Sequence, residues 1–204
     1  MLSTLAIIYH MQLLTIKLFS TPKMKAETAH NFTDWSTQLV NLVDNNKLSI
    51  AQLNINSYVQ KAEEVIKILN FNVLDILMLS ETKINENISD EAVKHPFYSV
   101  VRRHRTRNGG GLLIYYKLNI KLSKIEIDAR YELISFKLSL KQNSYCSFLM
   151  GYRPPNDAQD DFLDNLEMKI LSYNLDTDKL FILGDLNYNL LSKVTCGLVE
   201  FWAR

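Results

Sequence analysis

The stretch F-I-L-G-D-L-N-Y-N, Phe181 to Asn189, constrains this chain most. Leu180, Phe181, Ile182 and Leu183 form an unbroken apolar run, which reads as a buried strand and not a solvent-facing one. The run breaks at Gly184 and delivers Asp185 and Asn187 at its mouth, where period-two alternation predicts that both side chains share a face. A carboxylate and a carboxamide held at the end of a rigid strand can orient a water and hold a phosphate oxygen. Gly, Asp and Asn are equally the ordinary residues of a tight turn. G-D-L-N alone therefore decides nothing, and its meaning depends on what the other strand ends carry.

A chain of 204 residues, 47% hydrophobic and 22% charged, has the size and composition of one domain with a sizeable core. The formal net charge of +1 supplies no global field, so any attraction to nucleic acid or membrane has to be local. Cys146 and Cys196 are too few and too far apart for a disulfide framework or a thiolate metal site, and a reducing, intracellular setting fits them. Leu5 to Phe19 is apolar but interrupted by His10, Gln12 and Lys17, with no preceding basic residue, so it matches neither a signal peptide nor a membrane span. It reads as an extra helix. Thr33 to Val43, with Trp35, Leu39, Leu42 and Val43 on one face and Thr33 as cap, reads as another. Residues 1–47 are thus expected to be a mainly helical extension outside the main domain.

From Leu48 the pattern becomes strand, helix, strand. Leu48, Ile50 and Leu53 lead into L-N-I-N-S, ending at Ser57. Ser57 and Gln60 predict a capping box for a helix with Val59, Ala62, Val65, Ile66 and Leu69 on its packed face. Val73 to Leu79 predicts a second strand, apolar except for Asp75, that delivers Glu81 at its end. Arg102, Arg103, Arg105 and Arg107 then precede Gly109, Gly110 and Gly111, and Leu112 to Tyr116 resumes as a strand. This reads as a basic hairpin tip, able to meet phosphates or simply solvated. Its glycines match no nucleotide-cradling motif and predict a strand passing close to its neighbour.

Ile120 to Ile127, Tyr131 to Leu140 and Tyr145 to Met150 predict three successive antiparallel strands. The last enters G-Y-R-P-P-N, where two prolines end the ladder and hold Tyr152 at a strand end. Asn156 caps a helix whose packed side is Phe162, Leu163, Leu166, Ile170 and Tyr173, and Asp178 or Lys179 begins the last strand.

Four strand ends thus carry Asn54, Glu81, Tyr152 and the pair Asp185 with Asn187. On L-N-I-N-S at Leu53, L-S-E-T-K at Leu79, N-G-G-G-L-L-I-Y at Asn108, Y-R-P-P-N at Tyr152 and I-L-G-D-L-N at Ile182, the chain resembles the endonuclease/exonuclease/phosphatase superfamily. Within it, the triple glycine and Y-R-P-P are similar to the apurinic-type endonuclease domain of non-LTR (LINE-type) retrotransposons. The resemblance covers residues 48–191, leaving 192–204 as a divergent tail. It implies a four-layered α/β sandwich, two mixed β-sheets flanked by helices, incomplete at the C-terminus, with the active site at one end of the sheets. It further implies that Glu81 binds Mg²⁺ (or Mn²⁺) with help from Asn54, and that Asp185 orients or deprotonates the attacking water. Asn187 would position that water and Tyr152 would donate to the phosphate. DNA would be the partner, contacted through Arg102, Arg103, Arg105, Arg107 and Asn156, with no membrane and no obligate protein partner. The setting would be intracellular, nuclear if the protein is functional.

Relatives of this kind close on a Ser-Asp-His motif, and none of His10, His30, His95 and His104 stands where that histidine belongs. The expectation is a truncated copy, inactive or nearly so as a nuclease. A phosphomonoesterase or phospholipid-cleaving member of the same superfamily, and a non-catalytic remnant with weak nucleic-acid binding, are the alternatives.

Overall fold

The computed structural model describes residues 11–15, 43, 47–105, 109–128, 130–139, 145–154, 159–173 and 179–187, with 11–15, 159 and 160 as backbone only. Among them the element order is β1 (Met11–Thr15), β2 (Leu48–Asn54), α1 (Tyr58–Asn70), β3 (Ile76–Ser80), a 3₁₀ turn at Asp90–Val93, β4 (Tyr98–Arg103) and β5 (Leu112–Lys117). Then follow β6 (Leu122–Ile127), β7 (Glu132–Ser139), β8 (Tyr145–Tyr152), α2 (Gln159–Leu171) and β9 (Lys179–Asp185). One sheet has the order β1-β2-β3-β5-β4 and the other β6-β7-β8-β9. Each is mixed: β1, β2 and β3 are mutually parallel while β3, β5 and β4 pair antiparallel, and β6, β7 and β8 pair antiparallel while β8 and β9 are parallel.

Strand alternation assigns each apolar residue to a layer. In the first sheet Ile50, Ile76, Met78, Leu112 and Ile114 face the second sheet, where Ile134, Phe136, Phe148, Met150 and Leu183 receive them. Their sequence neighbours Ala51, Leu77, Leu79, Leu113 and Tyr115 face outward onto Val65, Ile68 and Leu69 of α1. On the far side, Leu133 and Leu149 of the second sheet pack against Phe162, Leu166 and Ile170 of α2. The result is helix, sheet, sheet, helix, the four-layered α/β sandwich. Strands sandwiched on both faces have to be apolar at every position, which is why β3 reads I-L-M-L-S without alternation. Phe136, Phe148 and Phe181 stack in succession across β7, β8 and β9, with ring centroids 5.0 and 5.2 Å apart.

Several local expectations are corrected. Met11–Thr15 is no helix but a strand, paired in parallel with β2 from Met11 opposite Leu48 to Thr15 opposite Gln52. The rest of the 1–47 extension, including all but Val43 of the Thr33–Val43 helix, lies outside the described residues, as does the 192–204 tail. The capping box is not formed, because Ser57 makes no side-chain cap bond. The first N–H of α1 is satisfied from another element instead: Tyr58 N donates to Thr82 O at 2.7 Å. The packed face of α1 is also rotated, with Tyr58 and Ile68 buried while Val59 and Ile66 are exposed. β3 starts at Ile76, three residues late, because Asp75 is used as a bracket: its carboxylate accepts from Ser49 N at 2.8 Å and from Lys117 Nζ at 3.0 Å. No described helix is long and apolar enough to cross a membrane.

Candidate active site

The site follows from strand register. β2 and β3 end together, with Asn54 opposite Ser80 and Glu81 next in line. β8 and β9 end together in the other sheet, with Tyr152 opposite Asp185. Because the two sheets face each other, these ends converge. Asn54 Nδ2 donates to Glu81 Oε1 at 2.8 Å and, across the sandwich, to Asp185 Oδ2 at 3.0 Å. The Tyr152 phenol lies beside Glu81 and Asp185 and feels the charge of both. Burial pushes the Tyr152 phenol up from its ordinary value, and the charges of Glu81, Glu132 and Asp185 add to the effect. A phenol so held keeps its proton and acts as a donor.

Four of the five residues placed at strand ends are therefore brought into one cluster, and the fifth is not. β9 stops at Asp185, and Asn187 sits in the left-handed region at φ +45°, so strand alternation no longer applies to it. Its Nδ2 donates to Arg153 O at 2.7 Å, while its own N–H returns to Asp185 Oδ1 at 3.2 Å. The alternation that predicted a shared face does not extend to Asn187, whose side-chain amide is held by Arg153 O and whose backbone steadies the Asp185 carboxylate. Glu81 (φ +54°), Lys83 (φ +52°) and Asn56 (φ +52°) also lie in the left-handed region around the same site. Such strain in non-glycine residues gathers where surrounding structure overrides local preference, commonly at functional sites.

Two residues that sequence reasoning passed over hold this arrangement. Arg153 is buried, and its guanidinium donates to Leu186 O at 2.9 Å, to Pro154 O at 3.3 Å and to Asn187 O, while its N–H donates to Asp185 O at 3.0 Å. The signal in the sequence was a charged residue set between a buried strand and two prolines. Glu132 is buried opposite Tyr152 in the β7–β8 register and accepts from Gly111 N at 2.6 Å and from Arg105 Nη1 at 2.5 Å. At the edge of an alternating strand it carried no signal.

The glycines are explained by close approach. A side chain on Gly184 (φ +128°) would place Cβ 1.8 Å from Gly151 O, so the β8–β9 contact that aims Asp185 tolerates only hydrogen there. Gly110 (φ +74°) would meet Glu132 Oε1 at 2.3 Å.

The described arginines of the basic cluster, Arg102, Arg103 and Arg105, all hold internal partners. Arg102 and Arg103 close β4; Arg102 pairs with Asp90 at 2.5 Å and donates to Ile88 O at 3.0 Å, and Arg103 donates to Asp128 O at 2.9 Å and to His104 O. With Arg105 on Glu132, three of the four guanidiniums hold internal partners. Arg107 and Asn156, also expected to meet nucleic acid, lie outside the described residues.

No group of three or more His, Cys, Asp and Glu side chains gathers among the described residues. A hard cation such as Mg²⁺ needs only one or two carboxylates, the remaining ligands being water and substrate oxygen. Glu81 and Asp185 meet that need: both reach the single nitrogen Asn54 Nδ2. Two anions clasping one donor are arranged as they would be around a small cation. Asn54 Oδ1 faces the other way, accepting from Asn56 N at 3.1 Å. As placed, Asn54 bridges the two carboxylates through Nδ2.

A two-sheet sandwich with a carboxylate, amide and phenol cluster at one end defines a class of phosphoester-cleaving proteins. The model of the Endonuclease/Exonuclease/phosphatase family matches residues 51–200, more than half of the chain, and the chain belongs to that family. The match runs beyond Leu191, where the sequence reading placed the end of the domain. Members generally depend on a divalent metal. Comparison with curated proteins finds no match. Among solved structures the chain is similar to an AP endonuclease from Archaeoglobus fulgidus, at 19% identity and TM-score 0.52, over 68% of this chain and 56% of that one. It is similar to a 3′-5′ exonuclease from Neisseria meningitidis at 16% and 0.50, over 68% and 57%. A mannosyl-6-phosphatase from Bacteroides thetaiotaomicron gives 15% and 0.50, over 72% and 68%. The chain spans little more than half the length of the first two, and at these identities the likeness is one of fold.

Proposed function

We propose that the chain is a Mg²⁺-dependent DNA endonuclease domain of non-LTR retrotransposon type, acting on phosphodiester bonds of nuclear DNA. The observation that carries the reading is the convergence of Asn54, Glu81, Tyr152 and Asp185 at one end of the two sheets. The retroelement assignment rests on N-G-G-G-L-L-I-Y and Y-R-P-P-N, whose glycines and arginine are the residues that hold the two halves of the site.

When bound, the cation supplies positive charge against the phosphate oxygens. Glu81 would hold it. Asp185, fixed by Asn54 on one side and by Asn187 N–H on the other, accepts a hydrogen from the attacking water and orients its lone pair. Tyr152, which keeps its proton, donates a hydrogen bond to a non-bridging phosphate oxygen.

The test is Mn²⁺ binding and supercoiled-plasmid nicking by wild type, Glu81→Gln and Asp185→Asn. Both variants should lose about a hundredfold of any nicking, and Glu81→Gln should also weaken Mn²⁺ binding. Equal Mn²⁺ affinity in all three would overturn the metal assignment, and phosphate release from monoesters without nicking would replace the nuclease by a phosphatase.

A further inference from the structure

We propose that Glu132 is the positioning residue for Glu81, setting the proposed metal-binding carboxylate from the opposite sheet through the glycine hairpin. The inference rests on the reading of Glu81 given above, but the link between the two residues is visible bond by bond. Glu132 stands at the start of β7 and is almost fully buried, an unusual place for a carboxylate unless it has a specific task. It accepts Gly111 N–H at 2.6 Å and Arg105 at 2.5 Å, and so anchors the turn between β4 and β5 from both ends. The carbonyls of that anchored turn face the next loop: Lys83 N donates to Gly110 O at 2.8 Å and Thr82 N to Gly111 O at 3.2 Å. Thr82 and Lys83 are the two residues that follow Glu81.

The Glu81 loop needs this support. Glu81 and Lys83 both occupy the left-handed region, which neither residue type favours, so the loop would relax without outside restraint. On one side it is restrained by α1, through Tyr58 N to Thr82 O at 2.7 Å. On the other it is held by the hairpin, through the two glycine carbonyls and through Arg105 N, which donates to Ile84 O at 3.3 Å, while Asn54 Nδ2 holds the Glu81 side chain and Lys83 Nζ donates to Asn56 Oδ1. Gly110 and Gly111 are what the contact demands: at φ +74° and +90°, with virtual Cβ positions 2.3 Å from Glu132 Oε1 and 2.5 Å from Thr82 Oγ1, no side chain fits between the two loops. The charge of Glu132 does more than its shape, because one oxygen holds a backbone N–H and the other a guanidinium, two geometries that a neutral isostere meets only in part.

Residues that orient a metal-binding side chain typically contribute tenfold to a hundredfold in metal affinity. Full-length Glu132→Ala, Glu132→Gln and Arg105→Met would be compared with wild type and Glu81→Gln by two readouts: Mn²⁺ affinity from electron paramagnetic resonance, and amide hydrogen exchange at Thr82 and Lys83 without metal. Glu132→Ala should lose about tenfold or more in Mn²⁺ affinity and lose protection at both amides. Glu132→Gln, which keeps an acceptor for Gly111 N–H but none for Arg105, should recover only part of both, and Arg105→Met, which leaves the carboxylate on Gly111 N–H, should likewise fall between Glu132→Ala and wild type. Should Glu132→Ala not fold, the graded order of Glu132→Gln and Arg105→Met below wild type carries the test. Unchanged exchange at Thr82 and Lys83 in the folded variants would overturn the inference. If exchange responds but Mn²⁺ affinity is the same in wild type and Glu81→Gln, the positioning holds and the metal reading fails.

Discussion

The two halves of the site are held by opposite means. Glu81 sits on a loop pinned by backbone hydrogen bonds, from α1 on one side and from the glycine hairpin on the other, with the buried carboxylate of Glu132 behind the hairpin. Asp185 sits on a strand end pinned by one buried guanidinium, Arg153, which collects the carbonyls of Pro154, Leu186 and Asn187. A buried anion therefore organises N–H donors on the first side, and a buried cation organises carbonyl acceptors on the second. The first half is spread over three chain segments and the second is concentrated on one residue, so damage to the second should be more abrupt.

The sharpest way to break this comparison is at the glycines. Gly184→Ala forces Cβ into the backbone oxygen of Gly151, which can move only by parting β8 from β9, and should cost about 4 kcal/mol or more. Gly110→Ala meets the end of a side chain instead, and should cost about 1–3 kcal/mol. Urea unfolding of both variants measures the difference. A reversed order would mean that the hairpin, not the strand pair, is the rigid half.

Arg153→Met keeps most of the buried volume but strips the carbonyls of Leu186 and Asn187 of their donor, and should cost about 2–3 kcal/mol. The sharper outcome is local. Exchange at Asn187 N–H should rise while Thr82 and Lys83 stay protected, the mirror image of Glu132→Ala. Loss of protection on both sides from either variant would show one coupled unit and not two halves.

The smallest effect is on pH. Burial raises the Glu132 carboxyl above its ordinary range, despite the Gly111 N–H and Arg105 that favour its charged form. The folded state thus binds this proton more tightly than the unfolded state. Its contribution is full below the ordinary carboxylate range and is lost as pH rises through the folded value. Glu132→Gln should flatten the fall in stability just above the ordinary carboxylate range, as read from urea midpoints across pH. An equal slope in both proteins would show that the ion pair outweighs burial.

What was legible in the sequence was whatever periodicity or an interruption of it could announce. The unbroken apolar run of β3 announced a strand covered on both faces, whereas the equally apolar run of β9, last in its sheet among the described residues, is half-buried except for Leu183 and so corrects the expectation of a buried strand; Phe162, Leu166 and Ile170 announced the packed side of α2. Asn54, Glu81, Tyr152 and Asp185 stood out because each is polar at the end of an apolar run. The capping box failed because a bond to Thr82, 24 positions along the chain from Tyr58, satisfied the helix start instead, and the packed face of α1 rotated with it.

The amino-acid sequence by itself determined the layers and the identity of the strand-end residues, since alternation and run length are local properties that burial reads directly. Only the tertiary structure decided how those residues are held. Asn54 meets Asp185 across 131 positions, Arg153 meets the carbonyls 33 and 34 positions on, and Glu132 meets Gly111 across 21. A hydrogen bond between distant segments leaves no period in the chain. It exists only once two sheets have packed face to face and brought their ends into register, and the same packing set the Asn187 side chain on Arg153 O, 34 positions back along the chain.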